Sequence, residues 1–205
     1  MDELVKKTME SLERRGFHVA YAEKAEQARD MALQMIAPGE SVGIGGSMTI
    51  RELGLAERLQ ESGHEVYWHW LVEPAERAAV QEKARQADVY LASSNAVTRD
   101  GRLVNIDGNG NRTAAMYQGP KRVILIVGQQ KLVDGGLNTA IARIKQHACP
   151  ANAKRLKLNT PCAHTGVCNA MECGDDCMCR IVTMMEHPVH GREVTVILVE
   201  EAIGY

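Results

Sequence analysis

Three stretches of this sequence carry residue types at spacings that can do chemistry. The first runs from Ala87 to Arg112, ADVYLASSNAVTRDGRLVNIDGNGNR, where amides, carboxylates and a guanidinium crowd around two short apolar runs. Val89 to Ala92 is β-favouring and short enough for a buried strand. Asp100-Gly101 is a strong turn signal, so Leu103 to Ile106 is expected to come straight back as the second strand of a hairpin. That strand ends in Asp107-Gly108-Asn109-Gly110-Asn111-Arg112, whose glycines permit backbone conformations that other residues resist. Together with Asn95, these residues bring more hydrogen-bonding groups to one small region than a turn needs, although a turn alone would also explain the Asn, Asp and Gly.

The second stretch is a strand from Ser41 to Ile44, then Gly45-Gly46-Ser47-Met48-Thr49, then a helix from Ile50 to Gln60. In that order, free backbone amides and the positive end of the helix dipole face an anion. Gly45 and Gly46 let a phosphate or carboxylate approach the backbone, and the Ser47 and Thr49 hydroxyls add donors. Thr49 and Glu52 also have the spacing of a capping box, which accounts for both without a ligand. The third stretch, residues 160–180, packs Cys162, Cys168, Cys173, Cys177 and Cys179 together, with Cys149 alone upstream. Four soft thiolates suit either zinc or an iron–sulfur cluster. The stretch holds no CxxC pair, so its spacing selects neither, and reduced thiols lining a loop are the plainer alternative.

The elements that must position these groups can be read from periodicity. Leu4, Val5, Met9 and Leu12 mark one face of an N-terminal helix, Phe17 to Ala22 a short strand, and Glu23 to Ile36 a second amphipathic helix. Glu65 to Trp70 reads as β, and Ala75 to Ala87 as a helix opened by Pro74. Arg122 to Gly128, RVILIVG, is the continuous apolar run of a parallel strand covered on both faces. Lys131 to Gly136 reads as a loop, Leu137 to Ala148 as a helix stopped by Pro150, and Val194 to Val199 as a last strand. Strands alternating with helices predict a three-layer α/β fold, a largely parallel sheet flanked by helices, in a single domain spanning 1–205. In such sheets ligands sit beyond the carboxyl ends of the strands, where the glycine loop and the hairpin both lie.

With 24 basic and 26 acidic residues interleaved, the chain has no dedicated nucleic-acid surface. No stretch approaches the roughly 20 apolar residues of a membrane span, and the N-terminus lacks a signal-peptide core, so the cytoplasm is the expected compartment. The sequence leaves room for a homo-oligomer.

Five segments together resemble the LUD domain family, the lactate-utilisation proteins. They are VGIGGSMTIRELGL from Val42 to Leu55, SNAVTRDGRLVNIDGNGNR from Ser94 to Arg112, GPKRVILIVGQQKLV from Gly119 to Val133, RIKQHACPANAKRL from Arg143 to Leu156, and TPCAHTGVC from Thr160 to Cys168. The resemblance implies the fold shared by ribose-5-phosphate isomerases, glucosamine-phosphate deaminases (the NagB/RpiA type) and coenzyme A transferases. Those enzymes hold phosphate on a glycine-rich loop and use an acid near a later strand end for proton transfer. The implied ligand site is Gly45, Gly46, Ser47, Thr49, Asn95, Asp107, Gly108, Asn109, Gly110, Asn111 and Arg112, holding a small anionic metabolite or nucleotide. NAVTRDGRLVNIDGNG is also similar to methylthioribose-phosphate isomerases, where an Asp takes the place of Asn95. An amide can orient a ligand but cannot act as general base, which leaves Asp107, Glu52 and Asp100 as candidate acids and bases. Asp107, at a strand end among glycines, is favoured, with turn capping as its structural role.

Similarity to short LUD proteins also implies a cysteine ligand set. Cys162 and Cys168 match directly, Cys173 and Cys179 match after a one-residue insertion, and Cys177 or His164 are substitutes. Lactate oxidation in this family is associated with iron–sulfur partner proteins. The resemblance therefore implies a protein of lactate or related 2-hydroxy-acid utilisation. A stand-alone isomerase or acyl/CoA transferase, and a non-catalytic regulatory or assembly subunit, are the alternatives.

Overall fold

The computed structural model describes residues 1–205. Its strands are β1 (His18–Ala22), β2 (Val42–Ile44), β3 (Val66–Trp68), β4 (Val89–Ala92), β5 (Ala96–Thr98), β6 (Leu103–Asp107), β7 (Arg122–Gly128), β8 (Leu132–Val133), β9 (Ile181–Met185) and β10 (Glu193–Val199). Six of them form a parallel sheet in the order β1-β10-β7-β4-β2-β3. The longest strands, β7 and β10, pair along their full lengths, as expected of continuous apolar runs. The helices are α1 (Glu3–Arg14), α2 (Ala25–Gln34), α3 (Met48–Glu52), α4 (Leu55–Glu61), α5 (Arg77–Gln86), α6 (Asn111–Gln118), α7 (Leu137–Arg143), α8 (Cys149–Leu156) and α9 (Pro161–Thr165).

Side chains alternate across the sheet with a period of two, and each face builds its own core. Val89 and Leu91 of β4 and Ile124 and Ile126 of β7 face α2, α3 and α4 through Ala28, Ala32, Ile50, Leu55 and Leu59. Tyr90, Ala92, Val123, Leu125 and Val127 point the other way, against α1, α5 and α6 through Val5, Leu12, Ala84, Ala115 and Met116. Val97, Leu103, Leu132 and Met185 join this second core from a separate sheet, β8-β5-β6-β9. The outer face of that sheet packs Ala96, Val104, Ile106 and Val133 on Ala140, Ile144 and Ala148.

The structure corrects two readings of the chain path. The partner of Leu103 to Ile106 is not Val89 to Ala92, which stays in the main sheet between β2 and β7. The chain leaves β4 at Ser93-Ser94-Asn95, crosses to the second sheet, and there β5 pairs antiparallel with β6. Pro150 does not stop the helix before it. A π turn, Ile144–Ala148, follows α7 and leads directly into α8 with Pro150 in its first turn, where a missing N–H is tolerated.

Asp100-Gly101 does form the hairpin turn: the Gly101 amide donates to the Thr98 carbonyl at 2.8 Å, and Gly101 has φ +81°. A Cβ there would also meet the α1 backbone at Ser11 and Leu12, at 2.7 Å. Gly101→Ala is expected to cost about 2 kcal/mol, lowering Tm by roughly 4 to 8 °C in a thermal melt.

Candidate functional site

The carboxyl ends of the parallel strands open into a cavity of about 560 Å³, closed from the other side by the end of β6 and the rim of the cysteine-rich segment. Gly46 and Ser47 arrive from β2, His69 and Trp70 from β3, Ser93 to Asn95 from β4, and Lys131 from beyond β7. Of the ligand-site residues expected from sequence, all but Gly45 and Gly110 line it, so Ser47 and Asn109 share one hollow. Gly45 lies behind the wall, where a Cβ would meet the Tyr90 hydroxyl at 2.9 Å and the Arg112 side chain at 3.0 Å. Gly110 holds the left-handed conformation, φ +75°, at the start of α6.

Ser47, not Thr49, caps α3, accepting from the Ile50 amide at 3.3 Å. Glu52 accepts from the Gly204 amide at 2.7 Å on the exposed side of α3, so Thr49 and Glu52 form no capping box. Asp100 is in the β5–β6 turn, paired with Arg102 at 3.0 Å and Arg15 at 3.5 Å. Neither Glu52 nor Asp100 reaches the cavity wall.

Asp107 and Arg112 form its floor, with side chains 9% and 8% exposed. One Asp107 oxygen accepts from Arg112 Nε at 3.1 Å and Nη2 at 2.7 Å, and the other from the Thr113 amide at 3.0 Å and hydroxyl at 2.9 Å. Four acceptor positions are thereby filled, leaving this carboxylate no lone pair for a substrate proton. Arg112 also donates to the Ser93 carbonyl (3.0 Å), Asn105 Oδ1 (2.7 Å), Asn95 Oδ1 (2.9 Å) and the Ile106 carbonyl (3.3 Å). It ties the β4–β5 crossing to the end of β6. Asn95 is held from both sides: its amide N–H donates to Asn105 Oδ1 and its side-chain oxygen accepts from the Ile106 amide, both at 3.0 Å.

Sequence reading misses the chief cation of the cavity. Lys131 is 2% exposed, and its Nζ donates to Thr49 Oγ1 at 2.7 Å and Ser93 Oγ at 3.1 Å, with no carboxylate as partner. Burial, reinforced by Arg143 and Arg112, brings its pKa down from an ordinary 10.5 to about 7. Its one sequence signal is position, three residues past the RVILIVG strand end. Arg77, Arg155 and Arg180 also line the cavity, so with Arg112 and Lys131 five cations face three carboxylates, Asp107, Asp175 and Asp176. Arg155 stacks 4.7 Å over the Trp70 ring, and burial together with Arg77 and Arg155 lowers the pKa of His69.

The cysteines regroup. Cys179 Sγ lies 3.2 Å from Cys149 Sγ, on α8. Cys177 stands beside Cys173, buried Cys162 contacts Thr160 Oγ1 at 3.4 Å, and His164 contacts Asn159 Oδ1 at 3.0 Å. No three His, Cys, Asp or Glu side chains converge at metal-ligating spacing, while burial and the neighbouring Cys177, Cys162 and Cys168 push the Cys173 thiol up to about 11. The hydrogen bond between Cys179 and Cys149 brings the Cys179 thiol down to about 7, while that same contact and burial push Cys149 up.

These features define a class: an α/β protein with a six-stranded parallel sheet flanked by helices and a cationic cavity at its carboxyl ends. The LUD domain family model matches residues 5–199, and the chain belongs to that family. A DUF162 family protein from Deinococcus radiodurans, solved by crystallography, shares the fold, with a TM-score of 0.57 at 15% identity over 96% of each chain. A looser likeness, to ribose 5 phosphate isomerase A from Neisseria gonorrhoeae, has a TM-score of 0.37 at 18% identity over 54% of this chain and 53% of that one. Comparison with curated proteins gave no match. No helix is long and apolar enough to cross a membrane.

Proposed function

We propose that this LUD-domain protein binds a small anionic metabolite or nucleotide between the Gly46–Thr49 loop, Lys131 and the Asp107–Arg112 floor. In this reading it serves lactate or related 2-hydroxy-acid utilisation alongside iron–sulfur redox partners. One observation carries the binding site: a lysine ammonium sequestered with two hydroxyls and no carboxylate, at the base of a cavity rich in arginine. A buried cation without a counter-ion is unfavourable until an anion arrives, and a carboxylate or phosphate beside Thr49 and Ser93 supplies one. The place in 2-hydroxy-acid metabolism rests on family membership. A stand-alone isomerase or acyl transferase is less well supported, because Asn95 is an amide and Asp107 already accepts four hydrogen bonds.

The test is thermal shift against lactate, pyruvate, sugar phosphates, nucleotides and coenzyme A. At least one anion is expected to raise Tm, and none doing so would overturn the reading. A Cβ on Gly46 would stand 3.5 Å from His69 and 3.6 Å from Trp70, so a valine side chain at this position would enter the cavity. Gly46→Val is accordingly expected to lose the shift while keeping the parent's own Tm within about 2 °C.

Affinity should also depend on pH in one direction. Free Lys131 loses its proton as pH rises through about 7, whereas an anion binds the ammonium form. Binding above pH 7 therefore takes up a proton, and affinity for a fully ionised anion falls by up to about tenfold per pH unit. Calorimetry at pH 6 and pH 8 in buffers of different ionisation enthalpy measures that uptake directly.

A further inference from the structure

We propose that Cys149 and Cys179 are a redox-active dithiol, closing to a disulfide by exchange with a small-molecule disulfide and fastening the cysteine-rich segment to α8 beside the cavity. The two sulfurs, 3.2 Å apart, come from elements 30 residues apart in sequence. Each is held by its own scaffold. Cys149 opens α8 immediately after the π turn and is 4% exposed, packed in the core with Ala148 and Ile144. Cys179 directly precedes the β9 ladder: the Arg180 amide donates to the Asp107 carbonyl at 3.1 Å, and Ile181 pairs with Asp107. Their meeting is thus set by packing and a strand ladder, and bonding distance is a small side-chain movement away.

The position of the pair gives the bond a consequence. Asp175, Asp176, Cys177, Met178 and Arg180, on the segment around Cys179, form one rim of the cavity, while Cys149, Asn152 and Arg155 from α8 form another. In the reduced protein a thiol contact joins the two rims at this point. Oxidation replaces it with a covalent tie, leaving the sheet and the Lys131 end unchanged.

The chemistry balances with a disulfide RSSR as oxidant. Cys179, the more exposed sulfur, attacks one sulfur of RSSR; an S–S bond forms to Cys179 as the R–S–S–R bond breaks, and RS⁻ departs. Cys149 then attacks Cys179, releasing the second RS⁻. Both protein thiol protons end on the departing thiolates, so two protein thiols are oxidised while RSSR becomes two RSH.

The test uses the full chain equilibrated with oxidised and reduced glutathione at fixed ratios, acid-quenched, alkylated, digested and mapped by mass spectrometry. A Cys149–Cys179 linked peptide is expected to rise with the oxidised fraction, and Tm to increase by roughly 5 to 10 °C on full oxidation. In Cys149→Ala the linked peptide is absent, glutathione accumulates on Cys179, and the oxidative Tm increase disappears. Cys179→Ser, a change at a half-exposed site, must likewise lose the linked peptide while leaving Cys149 free. Oxidation that links Cys173 to Cys177 and leaves Cys149 and Cys179 alkylatable throughout would overturn the proposal, as would an unchanged Tm in a protein whose linkage is complete.

Discussion

Replacing Lys131 with Met is expected to make the free protein more stable and to abolish its stabilisation by anions. Met keeps much of the length of the side chain and removes the charge. A pKa brought from 10.5 to about 7 corresponds to roughly 5 kcal/mol by which the fold disfavours the ammonium, since each unit is about 1.4 kcal/mol. The sign follows from proton counting. Between about pH 7 and 10.5 the unfolded chain holds a proton on Lys131 that the native protein lacks, so native stability rises with pH across that window. Below pH 7 both states are protonated and the burden is fully present. Lys131→Met removes it, but leaves the Thr49 and Ser93 hydroxyls without their donor, at about 1 kcal/mol each. A net gain of about 3 kcal/mol at pH 6, roughly 6 to 12 °C in Tm, is therefore expected, shrinking as pH approaches 10. Thermal melts at pH 6, 8 and 10, with and without the stabilising anion, measure both effects. A variant less stable than its parent at pH 6 would mean that Lys131 holds the fold together, and the reading of it as an unpaired cation awaiting an anion would fail.

What can be read from the sequence is what local pattern encodes. RVILIVG carries enough apolar residues to announce a central parallel strand, and GIGGSMT announces a strand, a turn and a helix start, all where expected, although the helix read from Ile50 to Gln60 is broken by left-handed Gly54 into α3 and α4. Where the reading fails, elements are shorter than the period used to detect them. β5 has three residues and β8 two, so neither shows an alternation, and β5 is absorbed into the turn after β4. β9, IVTMM, leaves Ile181, Val182 and Met184 exposed, so it shows no clear buried face and goes unassigned after the cysteine stretch. That omission also hides the neighbour of Cys179, because the β6–β9 ladder is what brings it to Cys149. Lys131 eludes the sequence for another reason: its burial depends on Thr49 and Ser93, both distant in the chain, and no local pattern distinguishes it from a loop lysine.

Removing the Arg112 guanidinium is expected to be the most damaging single change at the site. Arg112→Leu keeps an apolar stem but leaves Asp107 charged and buried with only Thr113 as partner, and it strips a donor from the Ser93 and Ile106 carbonyls and the Asn95 and Asn105 side-chain oxygens. Breaking a buried pair from one side costs about 3 to 5 kcal/mol, a large part of the roughly 5 to 15 kcal/mol that holds a typical domain together. Urea unfolding should show stability falling by that amount, read from the midpoint at an unchanged slope. Arg112→Lys keeps the charge yet supplies a point donor where a planar fork reaches five acceptors, so a loss of about 2 kcal/mol is expected. The informative comparison is the double variant. If the uncompensated Asp107 charge dominates the damage, adding Asp107→Asn to Arg112→Leu should recover at least about 1 kcal/mol. If the severed link between the β4–β5 crossing and the end of β6 dominates, the second substitution recovers nothing, and Arg112 serves chiefly to brace the two sheets around the cavity.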